Sequence, residues 1–232
     1  MSAQVKWWRR PWVAPLMVLT VAFLAFSVPP YLTLDPAQSR LSIRENAPLH
    51  YPVLVAHILF GSVALIATCL QVWPWFRGRY PVAHRRIGRI YVFAGVLPSA
   101  LLAIPTSVYG HSGLSGSIGN LLLACTWLAT TVAGFRMARQ RRFAEHRRWM
   151  IRSFALCTSI VLNRVWLIVL MAGVAPALAS NEAELAVLTE QSIVASIWLS
   201  WVVNLLLAEW WIERTRKPKR RVTPTKESAL VA

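Results

Sequence analysis

"PVLVAHILFGSVALIATCLQVWPWF", residues 52–76, runs for 25 positions without an acidic residue, a lysine or an arginine. A helix needs about 20 residues to cross the ~30 Å hydrocarbon core of a bilayer, so this stretch is long enough to span one. A barrel strand would instead carry a polar residue at every second position, and none does. Five comparable runs lie near residues 12–34, 89–109, 117–137, 149–173 and 191–212. Across all 232 residues, 56% are apolar and only 15% charged, with a mean hydropathy of +0.48. These values are too greasy for an ordinary soluble domain. The expectation is an all-α, six-helix transmembrane bundle occupying residues 1–212. A polar, proline-containing segment, residues 213–232, follows as a disordered basic tail.

A net charge of +16 raises the question of a nucleic-acid partner. The distribution of the charge answers it. Lys6, Arg9 and Arg10 precede the first run, Arg77, Arg79, Arg85, Arg86 and Arg89 lie between the second and third, and Arg136, Arg139, Arg141, Arg142, Arg147 and Arg148 between the fourth and fifth. With the basic residues after the last run, these alternate connections hold 21 of the 25 lysines and arginines. The positive-inside rule then places both termini in the cytoplasm of an inner membrane, as a multi-pass protein. Charge sorted this way reports topology and attraction to anionic inner-leaflet lipids, not nucleic acid. The basic, apolar start resembles a signal peptide but lacks an Ala-x-Ala site before Leu34, so an uncleaved first span is expected. Cys69, Cys125 and Cys157 fall inside apolar runs with no Cys-x-x-Cys pair, as small core residues would. Glycines at 110, 113, 116 and 119 read as a flexible turn, since no Lys-Ser/Thr follows to make a phosphate loop.

"VAHRRIGRIYVFA", residues 82–94, has an echo 62 residues later in "AEHRRWMIRSFAL", residues 144–156. The alignment pairs His84 with His146, Arg85 with Arg147, Arg86 with Arg148, Arg77 with Arg139 and Arg79 with Arg141. Each copy opens a run leaving the basic side, so spans 2–3 and 4–5 read as a repeat about an axis along the membrane normal. His84, Arg85, Arg86, His146, Arg147 and Arg148, with Arg152 one turn on, then form a cationic floor for a phosphate or carboxylate.

A second site is expected near the other face. His57 lies about 7 Å inside the outer end of its run, and Arg164 about 8 Å below the same surface, at 1.5 Å per residue. Asn120 and the segment from Pro105 to Ser107 reach nearly the same depth. Arginine inside a membrane needs a partner or a wet cavity. An outer polar site of His57, Arg164 and Asn120 is therefore expected, with the arginine keeping the imidazole neutral.

His57 with Gly61, "LQVWPWFRGRYPVAHRRIGRIY" at 70–91, "HRRWMIRSFAL" at 146–156 and Arg164 together resemble the bacterial predicted-membrane-protein family called domain of unknown function 2306. The resemblance covers roughly residues 55–172. It implies a multi-pass membrane protein without an established activity, and draws attention to His57, His84, Arg89, Tyr91, His146, Arg148, Arg152 and Arg164. The family commonly shows Gly-Pro shortly before the position of Gln71, where this chain has Thr68 and Cys69.

Three functional readings follow. The first is binding or transport of a small anion, lipid headgroup or amphiphile through the His/Arg sites. The second is a redox protein carrying haem b, whose axial pair could be His84 with His146, or His57 with His111 or His50. The third is a structural or accessory membrane protein. No Gly-x-Ser-x-Gly, His-Glu-x-x-His or paired-carboxylate motif supports hydrolysis.

Overall fold

The computed structural model describes residues 12–44, 46–110 and 112–215, and every regular element among them is helical. His111, the first eleven residues and the tail beyond Thr215 lie outside the described residues. Helix α1, Val13–Ser27, is followed by the single turn α2, Pro29–Leu32. Then come α3, His50–Val72, the short α4, Pro74–Arg79, and α5, Pro81–Ile90. A π-helical turn, Tyr91–Val96, joins α5 to α6, Leu97–Tyr109. Helices α7, Gly113–Arg139, and α8, Phe143–Cys157, precede α9, Ser159–Val169. A second π turn, Leu170–Val174, leads into α10, Ala175–Leu178, and α11, Glu182–Arg214, ends the described chain.

Five of the resulting helical segments are long and apolar enough to cross a membrane: His50–Val72, Pro81–Tyr109, Gly113–Arg139, Ser159–Leu178 and Glu182–Arg214. The first expected span is shorter. Its apolar helix covers only Val13–Ser27, because the Pro29–Pro30 pair supplies no N–H to carry the ladder onward and bends the chain at Val28.

Three of the spans and helix α8 close a square. Helix α3 packs on α5, its π turn and α6; α6 packs on α7, α7 on α8, and α8 returns to α3. Helix α11 covers α7, α8 and α9, while α1 touches α3 and α9. Lipid tails offer helices no hydrophobic drive to associate, so close backbone approach and interhelical hydrogen bonds must hold the square. Both are present. A Cβ added to Gly95 would lie 2.9 Å from the Cα of Ala64, and one on Gly88 would press on the Gln71 side chain at 3.3 Å. Gly116 and Gly119, expected in a turn, instead lie within α7 and are buried against Ile197 and Trp198 of α11. Glycine signals a turn and a tight helix contact with the same letter.

Both π turns have one cause. "AGVLP", residues 94–98, and "AGVAP", residues 172–176, place proline two residues after the valine. Pro98 and Pro176 lack the N–H that an α turn would use, and the preceding residue closes a wider turn: Leu97 N–H donates to Val92 and Ala175 N–H to Leu170, each five residues back.

At the centre of the square sits Tyr91, 2% exposed. Its hydroxyl meets Ser153 Oγ at 2.6 Å, Ser153 Oγ meets Thr131 Oγ1 at 2.6 Å, and Trp127 Nε1–H donates to the Tyr91 oxygen at 3.3 Å. Thr131 donates its only hydroxyl proton to the Trp127 carbonyl at 2.7 Å. The remaining directions follow by counting: Ser153 must donate to Thr131, and Tyr91 to Ser153. A closed ring of donors thus ties α7, α8 and the start of the π turn together.

Gly95→Ala is expected to destabilise the fold by about 1–3 kcal/mol, since the clash is with backbone and cannot be relieved by a rotamer. Gly78→Ala, with nothing within 4 Å of its new Cβ, should not lower stability. Thermal unfolding of the two variants in detergent checks the contrast.

Candidate functional site

His84 and His146 hold equivalent places. Each is the fourth residue of its helix, α5 or α8, and each backbone N–H donates at 2.9 Å to the residue four positions earlier, Tyr80 or Arg142. Both helices start at the same, arginine-rich end of the bundle. The two histidines lie within electrostatic reach of one another, with Arg77 and Arg85 also acting on His84. Deeper along the same two helices, Tyr91 and Ser153 are again 62 residues apart and hydrogen-bond directly. Beside them Gly88 on α5 receives the Gln71 side chain from α3, and Gly134 on α7 receives Met150 from α8.

The imidazoles are held differently. His146 Nδ1 lies 2.8 Å from the Gly134 carbonyl, which can only accept, so Nδ1 carries a proton and, in the neutral ring, Nε2 is the nitrogen with the lone pair. His84 Nδ1 is buried with no hydrogen-bond partner, while the His84 carbonyl accepts from Gln71 Nε2 at 2.9 Å. Arg85, Arg86 and Arg147 are exposed and Arg148 is half-buried. Beside them an open groove of about 510 Å³ is lined by Arg79, Tyr80, Pro81, Val82, Ala83, Arg86 and Ile87. Two guanidiniums over an apolar floor suit a molecule with an anionic head and a greasy body, although His84 itself does not line this groove. A second groove, about 240 Å³, is bounded by Glu145, Arg148, Trp149, Arg152, Ile212 and Glu213.

Arg152, expected in the cationic floor, is committed elsewhere. Its Nε and Nη2 donate to the two carboxylate oxygens of Glu209 on α11 at 2.5 and 2.8 Å, and its guanidinium stacks over Trp149 at 4.7 Å. The pair clamps α8 to α11. Glu209 went unnoticed in sequence because it lies at the end of an apolar run, where a lone carboxylate looks like an interfacial charge. Asn204 makes a parallel tie, donating to the Ala155 carbonyl at 3.1 Å.

The outer residues are not gathered as their common depth suggested. His57 turns to α6, with Nδ1 donating to the Ser99 carbonyl at 2.8 Å and Ser99 Oγ donating to the His57 carbonyl at 3.2 Å. Arg164 stands exposed on α9, whose neighbours are α8, α11 and α1, and no hydrogen bond or ion pair joins it to His57 among the described residues. Asn120 is half-buried on α7, and Asn163 donates to Ser196 on α11 at 2.9 Å. Thr106 and Ser107 spend their hydroxyls on the Leu102 and Ala103 carbonyls of their own helix. Equal depth leaves the angle around the bundle free, and these residues face different neighbours.

The family of predicted membrane proteins described as domain of unknown function 2306 matches residues 54–212. The chain belongs to that family. No curated protein and no solved structure matches it.

Arg152→Gln and Glu209→Gln should each loosen the α8–α11 contact, and the double change should cost less than the two single changes added together. A coupling of about 1 kcal/mol in a double-mutant cycle of thermal stability is expected for a half-exposed bidentate pair. Strict additivity would remove the clamp.

Proposed function

We propose that this membrane protein binds an anionic group, the phosphate or carboxylate of a lipid headgroup or amphiphile, at the arginine-rich end of its bundle. His84 and His146 are the paired hydrogen-bonding groups, and Arg85, Arg86, Arg147 and Arg148 supply the charge. One observation carries this reading: two histidines, each the fourth residue of a helix that starts at the arginine-rich end, lie within electrostatic reach with Arg77 and Arg85 beside them. The neighbouring groove, cationic at Arg79 and Arg86 and apolar at Val82 and Ile87, offers the ligand's body a place to lie. By the positive-inside rule this end faces the cytoplasm of an inner membrane, where anionic lipids are at hand.

A second reading, a b-type haem protein, is favoured by the anchoring of His57 and His146. Fixing Nδ1–H on a backbone carbonyl leaves Nε2 as the ligating nitrogen, as in metal-bound histidines. A Soret band with reducible split bands in the purified protein would establish this second reading. A spectrum with no band beyond the protein's own would end it.

The test of the first reading is competition between phosphatidylglycerol and phosphatidylcholine for the protein in nanodiscs. Wild type should favour the anionic lipid. His84→Ala or His146→Ala should each weaken that preference about tenfold, the size of one charge-assisted hydrogen bond, and the double change should cost little more. Additive losses would mean two unrelated sites, and unchanged preference would mean no site. For topology, reporters fused at either terminus should be active only on the cytoplasmic side.

A further inference from the structure

The opposite end of the bundle carries a second set of polar residues, which the His84–His146 site does not use. Tyr31 and Tyr51 are 3% and 8% exposed and pack in one cluster with Leu54 and Val55. The Tyr51 hydroxyl is buried without a hydrogen-bond partner, whereas a buried phenol ordinarily finds one. Arg40, in the connection after α2, holds its guanidinium 3.7 Å from the centre of the Phe26 ring on α1. Helix α1 packs in turn against α9, which bears Arg164. Tyr31 and Arg40 are the groups that act electrostatically on Arg164.

The charges here do not balance by themselves. Arg164 makes no ion pair with any described residue, and neither does Arg40. The acidic side chain acting on Tyr51 is Asp35, whose carboxylate accepts the Ala37 N–H at 2.9 Å and pairs with neither arginine. Two guanidiniums near one another repel, and one of them lies at membrane depth, where an arginine requires a partner. The direction from which that partner comes can be read from α9. Ile160 and Ile168, four residues to either side of Arg164 and on its face of the helix, are 42% and 65% exposed, and Val165 beside it is 43% exposed. Arg164 therefore interrupts an apolar stripe that faces the lipid, so its partner arrives from the bilayer.

We propose that Arg164 and Arg40 hold the phosphate of a phospholipid in the leaflet at this end, with the Tyr31–Tyr51 pair providing a hydroxyl donor beneath it. Guanidinium binds phosphate through paired N–H donors, and a long arginine side chain starting inside the hydrocarbon can extend outward to the phosphate level. The site is independent of His84 and His146 and stands or falls without them.

Native mass spectrometry of the detergent-purified full chain, with a phospholipid set against a galactolipid that carries no phosphate, reads the site directly. Wild type should retain one phospholipid and prefer it to the galactolipid. Arg164→Ala and Arg40→Ala should each reduce that preference about tenfold, and Arg164→Lys should keep part of it, since lysine keeps the charge and loses the paired donors. Tyr51→Phe preserves the buried ring and removes only the hydroxyl, so it should weaken retention in a protein that still folds. His84→Ala should leave this preference unchanged, which separates the site from the one at the arginine-rich end. Equal retention by wild type, Arg164→Ala and Arg40→Ala would overturn the proposal. Displacement of the phospholipid by millimolar inorganic phosphate would overturn it as well, by making the ligand a soluble anion.

Discussion

The ring that runs from Trp127 Nε1 through Tyr91, Ser153 and Thr131 back to the Trp127 carbonyl is the interaction on which the bundle depends. In a membrane the apolar faces of helices gain little by leaving lipid for one another. A unique arrangement therefore needs contacts that only one packing satisfies. The ring supplies such a contact, because every donor in it has one acceptor and a rotation of α7, α8 or the Tyr91 turn would leave a buried hydroxyl or indole unpaired. Around it the glycine contacts act in the same sense. Gly95 against Ala64 and Gly134 against Met150 and Trp149 allow backbones to approach to a distance at which a slipped register would clash.

The π turn at Tyr91–Val96 belongs to the same design. Pro98 forbids an ordinary α turn and the chain widens by one residue, which changes the angular position of everything beyond it. Tyr91 lies on the near side of that shift, facing Ser153 across the square. Ser99 lies on the far side, facing His57 and Gly61 of α3. A continuous α-helix would present these two residues with a different relative rotation, so the proline sets which face of the helix meets α3 after α5 has met the centre.

What was legible in the sequence is what depends on depth along the membrane normal. Apolar runs mark the spans, because crossing hydrocarbon demands them whatever the helices pack against; of the six expected, five have counterparts among helices long and apolar enough to cross. The arginine pattern likewise collects His84 and His146 at one end, and a 62-residue offset keeps them level. What was not legible depends on angle. His57 and Arg164 agree in depth, yet one faces Ser99 and the other interrupts a lipid-facing stripe between Ile160 and Ile168. Arg152 reads as part of an anion floor until Glu209, 57 residues away in sequence, is seen beside it. The repeated Ala-Gly-Val-x-Pro of the two π turns was a sequence signal, but its 78-residue spacing does not match the His-Arg-Arg echo, so an alignment built on that echo passes over it.

The distribution of spare hydrogen-bonding capacity then separates structure from chemistry. At the centre, Tyr91, Ser153, Thr131 and Trp127 consume each other's donors, and Thr68 and Thr20 engage Cys157 and Cys69 at 3.5 Å. Beside them Trp201 Nε1, packed against the same core, is buried without a partner. Towards the two ends the balance changes: His84 Nδ1, beside Arg77 and Arg85, and the Tyr51 hydroxyl, within electrostatic reach of Asp35, are each buried without a hydrogen-bond partner. The unmet hydrogen-bonding capacity at the two ends is what the two proposed anion sites would draw on.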